Sequence, residues 1–125
     1  MKKQLVVMVA IGALFLFVQS FCPELPPESV FPDEITSILK TSSYDCHTGE
    51  NSEKALKALN FDTWDEYRTI KKIGLLSDIS KVVEERKMPP AKYLEKKPEA
   101  KLSEKQMEVL AQWTETEAEK LMQEN

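Results

Sequence analysis

No segment of this sequence alternates between apolar and polar residues at period two. Apolar residues recur instead at three- and four-residue spacing, which specifies helices rather than a sheet. Ile35, Ile38 and Leu39 form one such face, predicting a short helix capped by Asp33 and ended by Thr41-Ser42-Ser43. Ser52 to Leu59 predicts a second, with Ala55, Leu56 and Leu59 on one side. Thr63-Trp64-Asp65-Glu66 has the T-x-x-E pattern of a capping box and predicts a longer helix through Glu85. Its inward set is Tyr67, Ile70, Ile73, Leu76, Ile79 and Val83, with Gly74 as its weak point. Met88-Pro89-Pro90 stops it, because a residue before proline avoids helical dihedrals, and residues 89–102 read as a loop. Ser103 with Gln106 predicts another capping box, flanked by Leu102 and Met107 as a hydrophobic staple. Met107, Leu110, Ala111, Thr114, Ala118, Leu121 and Met122 then mark the inward face of a last helix. The expected fold class is all-α, with four to five short helices.

The first residues carry a different signal. Lys2 and Lys3 precede an unbroken apolar run of 14 residues, Leu5 to Val18, and Val18-Gln19-Ser20 offers a cleavage site. A helix that spans a bilayer needs about 20 apolar residues, so this run reads as the core of an export signal. The alternatives are an uncut N-terminal membrane anchor, or lipidation at Cys22. Cys22 to Pro32 holds four prolines in eleven residues, which precludes a helix and reads as an extended tether. The expected organisation is therefore residues 1–20 as signal peptide or anchor, 21–32 as a Pro-rich tether, and 33–125 as one domain. A domain of that size buries little core and often relies on a disulfide, a metal or a cofactor.

Composition removes several function classes. Seventeen Lys and Arg against 21 Asp and Glu give a formal net charge of −4. A free-standing nucleic-acid binder needs a basic surface instead. Three glycines exclude a Gly-rich phosphate loop, and one His excludes any metal site built on two. The single His has no nucleophile at a motif spacing, so no hydrolytic triad is expected and the chain reads as a non-enzyme.

That single histidine directly follows a cysteine, in Ser43-Tyr44-Asp45-Cys46-His47. The haem-attachment motif is C-x-x-C-H, and here the second Cys and the His stand in place with Ser43 at the first Cys position. A thiol adds to a haem vinyl group to give a thioether, and the adjacent imidazole binds the iron. Serine forms no stable thioether, so this pattern predicts one haem, bonded once through Cys46, with His47 on the iron. Two plain readings stand beside it: an ordinary loop pair, or a Cys22–Cys46 disulfide. Met88 lies 41 residues after His47, and a thioether sulphur is a suitable sixth ligand. Its alternative role is that of a helix-end core methionine. Trp64, Tyr67, Tyr93 and Trp113 either line a haem or pack as ordinary core. Arg68, Lys71 and Lys72 are helix charges, with haem propionates as their alternative partners.

The sequence also resembles the small haem-binding domain of exported bacterial c-type cytochromes. The resemblance rests on the helix before Tyr44-Asp45-Cys46-His47, on Leu59-Asn60-Phe61-Asp62-Thr63-Trp64, and on Met88-Pro89-Pro90-Ala91-Lys92-Tyr93-Leu94. It continues through Pro98-Glu99-Ala100-Lys101-Leu102-Ser103 to the Trp113 helix, roughly residues 33–120. It departs from the family at Ser43, and at Thr48-Gly49-Glu50-Asn51-Ser52, where a Trp-rich, Pro-containing stretch is common. The resemblance implies a small cytochrome c-like bundle around one haem c, with Cys46 as attachment point, His47 as proximal ligand and Met88 as distal ligand. Trp64 and Tyr93 are the aromatic candidates to line the haem. The function expected is electron transfer with a redox partner protein in the periplasm or at the membrane. A haem-based ligand sensor or weak peroxidase, and a haem-free helical interaction module, are the alternatives.

Overall fold

The computed structural model describes residues 29–124. The expected signal or anchor, most of the tether, and Cys22 lie outside the described residues. Within them the protein is helical and has no strand, the all-α fold its periodicity predicts.

Helix α1 is Asp33–Ser42. Its first turn holds Asp33 and Glu34 and its last holds Lys40, charges that suit the helix dipole. Ile35, Ile38, Leu39 and Ser42 are buried, and the buried Ser42 hydroxyl donates to the Ile38 carbonyl at 2.8 Å. Pro32, not Asp33, occupies the N-cap, so Asp33 acts through its charge alone. Helix α2 is a single turn, Tyr44–His47, and α3 is Glu53–Ala58, capped by the Ser52 hydroxyl on the Ala55 N–H.

The long helix predicted from Thr63 is two elements. Phe61–Glu66 is a 3-10 turn, capped by the Asn60 side chain on the Asp62 N–H and pinned by buried Phe61 and Trp64. Tyr67 is extended (φ −69°, ψ 137°), and α4 begins only at Thr69 and runs to Glu84. The later start turns Leu75, Leu76, Ile79 and Val83 inward and leaves Ile70 73 % exposed. The predicted loop 89–102 also holds structure. Pro90 starts helix α5, Ala91–Lys96, its carbonyl accepting from the Leu94 N–H at 3.1 Å, and Pro98–Ala100 forms a further 3-10 turn. Proline lacks only an N–H that the start of a helix leaves unpaired, so it opens this one readily. Helix α6 is Glu104–Gln123, and both hydrogen bonds of the predicted Ser103–Gln106 capping box are present. Leu110, Trp113 and Thr114 are its buried residues, whereas Met122 is exposed.

Helices α4 and α6 pack along each other in opposite directions. Arg86, just past the end of α4, is ion-paired with Glu104 in the first turn of α6. Leu39, Leu76 and Leu110 are fully buried between α1, α4 and α6, each stabilising the fold by about 1.5–3 kcal/mol. Phe31, in the Pro-rich stretch before α1, is also a core residue, ringed by Phe61, Trp64 and Trp113.

Gly74 does not interrupt α4; it sits inside the helix with no atom within 4 Å of where a Cβ would stand. Gly74→Ala is expected to stabilise the domain by about 0.5–1 kcal/mol, through lower backbone entropy in the unfolded chain. Urea unfolding would show a higher midpoint at unchanged slope; a lower midpoint would mean that the added methyl group meets a neighbour.

Candidate functional site

The Cys-His turn is built by local hydrogen bonds. Ser43 leaves helical geometry (φ −133°, ψ −34°) and ends α1. The Cys46 and His47 amides both return to the Ser43 carbonyl, at 3.1 and 3.0 Å. The Thr48 hydroxyl donates to the Tyr44 carbonyl at 2.7 Å. Gly49 then takes a left-handed conformation (φ +64°), where a side chain is disfavoured, and its N–H donates to the Asp62 carboxylate at 2.7 Å. This reversal brings α3 back beside α2.

His47 Nδ1 is 2.9 Å from the Leu59 carbonyl oxygen. A carbonyl only accepts, so Nδ1 carries a proton, and in the neutral ring Nε2 keeps a lone pair. A metal-bound imidazole takes the same form, with its second nitrogen donating to a carbonyl that fixes the ring. The edge contact with Phe61, at 6.1 Å between centroids and 77° between planes, braces the ring further.

Two cavities meet at this histidine. The larger, of about 300 Å³, is walled by Ser42, Ser43, Cys46 and His47 on one side. Ala55 and Ala58 of α3, Met88-Pro89-Pro90 and Tyr93 close the rest, and Lys54 is the one charged residue of the lining. The smaller, of about 130 Å³, runs on toward Leu59, Leu75, Ile79 and Val82. His47, Ala58 and Met88 border both. Among the described residues Cys46 has no disulfide partner, and it is at intermediate exposure. A wider groove of about 720 Å³ between α4 and α6 is lined by Glu84, Glu108 and Glu115 and contains neither Cys nor His. Among the described residues no cluster of three or more His, Cys, Asp or Glu is placed to hold a metal ion.

The fold thus brings Cys46, His47, Met88 and Tyr93 to one cavity. Trp64 goes elsewhere: it is buried in the core, 5.3 Å from the Phe31 ring and 6.1 Å from that of Tyr67. It is absent from both cavity linings, and Phe61 has ring contacts with both Trp64 and His47. Trp113 likewise packs on Phe31, and Arg68, Lys71 and Lys72 sit at the start of α4, away from both linings.

Two residues of the site escaped the sequence reading. Lys54 reaches the cavity because Gly49 folds α3 back, a turn its own neighbours do not announce. Asp45 accepts a hydrogen bond from the Tyr93 hydroxyl at 2.7 Å and is ion-paired with Lys97. The Lys97 and Tyr93 hydrogen bonds and the Lys97 charge hold the Asp45 carboxyl below the usual carboxylate range. The same carboxylate raises the Tyr93 hydroxyl and the Lys97 ammonium above their ordinary values. Sequence separations of 48 and 52 residues hide these contacts from any local motif.

Mostly hydrocarbon walls, an imidazole nitrogen with a free lone pair, a thioether sulphur and a thiol on one cavity together suit haem and its iron. A family model described as a haem-binding domain matches residues 50–116. The matched stretch begins just after the Cys-His turn and covers α3, α4, Met88, α5 and most of α6. Comparison with curated proteins and with solved structures returned no match to either. The matched residues supply one complete wall of the cavity and exceed half of the sequence, so the chain belongs to the haem-binding domain family and binds haem.

Proposed function

We propose that the protein is an exported monohaem c-type cytochrome that carries electrons, with haem bonded once through Cys46 and held by His47 and Met88 as axial ligands. The observation that carries this reading is the His47 Nδ1 bond to the Leu59 carbonyl, which leaves Nε2 available on the cavity shared with Cys46 and Met88.

Each residue has a distinct part. The Cys46 thiol is the group that would bond haem, its S–H adding across one vinyl double bond, sulphur to one carbon and proton to the other, with no net oxidation. Ser43, whose hydroxyl is 3.1 Å from that of Ser42, stands where a second thiol would serve, so only one thioether would form. His47 offers Nε2 to the iron while Leu59 keeps the ring from turning. Met88 offers a soft sulphur, which favours the reduced state and raises the potential. Lys54 provides a cation for the acidic edge of the ring. Bound haem supplies a one-electron Fe(III)/Fe(II) couple. The apolar walls lower the local dielectric and exclude water around it. The N-terminal apolar run supports export, and an exported carrier would meet its partner in the periplasm or at the membrane face.

The exposure of Met88, 40 %, favours a second reading, in which the sulphur leaves the iron and the protein senses a small ligand or acts as a weak peroxidase. Rapid carbon monoxide binding to the reduced native protein would select that reading.

The test of the first is direct. The full chain is expressed with the cytochrome c maturation machinery, run on a denaturing gel and stained for haem, beside Cys46→Ala. The native band is expected to stain and the Cys46→Ala band to lose essentially all stain. A stained Cys46→Ala band, or an unstained native band with a Soret absorption in the native state, would overturn thioether attachment.

A further inference from the structure

The haem cavity has two walls that are distant in sequence. One is the Cys46–His47 turn; the other is Met88-Pro89-Pro90 leading into α5. At its upstream end the Met88 segment is anchored to α4. Arg86 adopts a left-handed conformation (φ 53°), its N–H donates to the Val83 carbonyl at 3.0 Å, and the Lys87 N–H donates to Val82 at 2.9 Å. These two bonds form a Schellman closure, which fixes the direction in which the chain leaves the helix. Downstream, two prolines restrict the chain until α5 begins. Helix α5 has only six residues and no buried one, so its own packing holds it weakly.

What ties α5 to the opposite wall is Asp45. The carboxylate adjacent to Cys46 accepts from the Tyr93 hydroxyl at 2.7 Å, on the first turn of α5, and is ion-paired with Lys97 at its end. The Lys97 ammonium also stands 5.8 Å from the Tyr93 ring centroid. Among the described residues these are the hydrogen bonds that join α2 to α5.

We infer that Asp45, Tyr93 and Lys97 form a clasp that joins α2 to α5 beside the haem cavity, and that they act as positioning residues which hold Met88 toward the iron. The inference rests on the reading of Met88 as sixth ligand. With the clasp closed, the Met88 segment is held at both ends and its sulphur stays at a high effective concentration beside His47. With the clasp open, α5 loses its tie to α2, and an external ligand competes more easily for the site Met88 fills. Apparent affinity for such a competitor scales with the fraction of molecules in which Met88 is displaced.

The test uses the haem-loaded full chain in its ferric state and imidazole as competing ligand, followed by absorption. Tyr93→Phe keeps the ring in the cavity wall and removes only the hydroxyl; Asp45→Ala removes both bonds. Imidazole is expected to bind about threefold more tightly to Tyr93→Phe and about tenfold more tightly to Asp45→Ala. Met88→Ala alone is expected to bind it most tightly. In the Met88→Ala background the two clasp substitutions are expected to change binding by less than about twofold, since their effect runs through Met88. A purely structural role would move both backgrounds alike, and that result would overturn the inference. So would unchanged binding in Tyr93→Phe and Asp45→Ala while Met88→Ala still tightens it. Unchanged binding in Met88→Ala itself would instead remove the sixth-ligand reading and the clasp's role with it.

Discussion

Replacing Phe31 by Ala is expected to destabilise the protein by about 3–5 kcal/mol, the range for deleting a large aromatic side chain from a packed core. Phe31 is 6 % exposed, and its ring makes edge-on contacts with Phe61 at 5.8 Å and with Trp64 and Trp113 at 5.3 Å. Each such pair adds about 0.5–1.5 kcal/mol beyond area burial, so the loss falls on three partners at once. A small domain holds only about 5–15 kcal/mol in total, and the substitution therefore removes a large share. The consequence extends to the site, because Phe61 touches both Phe31 and His47. Urea unfolding of native and variant proteins checks it. A loss below about 1 kcal/mol would mean that the three rings close over the gap and that Phe31 is not a keystone of the core.

Met88→Ala is expected to lower the reduction potential by on the order of 100 mV and to open the iron to carbon monoxide. A thioether ligand stabilises Fe(II) relative to Fe(III), and axial ligands move haem potentials across a range of about 0.8 V. For a one-electron couple about 59 mV is a tenfold change in the redox equilibrium, so the effect far exceeds titration error. Fold stability should change little, because Met88 is 40 % exposed and its backbone N–H bond to the Val82 carbonyl, 3.3 Å, survives the substitution. Spectroelectrochemical titration of both proteins gives the answer. An unchanged potential and spectrum would exclude Met88 as a ligand and favour the sensor or peroxidase reading.

The helical class follows from residue spacing alone, because apolar positions three and four apart leave no face for a sheet. Helices α1 and α6 follow from local signals: Ile35, Ile38 and Leu39 on one stripe, and a Ser103–Gln106 capping box whose partners are three residues apart. Residue type also singled out Cys46, His47 and Met88, since chemistry identifies them before geometry does. The other features depend on packing between segments distant in the chain. The T-x-x-E pattern at Thr63 lost to the Asn60 cap and to burial of Phe61 and Trp64, which made a 3-10 turn and delayed α4 to Thr69. Trp64 went into the core rather than onto the cavity because Phe31, Tyr67 and Phe61 enclose it. Lys54 reached the cavity through the turn at Gly49, and Asp45 found Tyr93 and Lys97 across about fifty residues of chain. Local preferences weigh a few tenths to about 1 kcal/mol per residue, whereas burying one aromatic ring outweighs several of them. Periodicity and capping are therefore legible in the chain, and the pairing of its distant walls is set by the packed core.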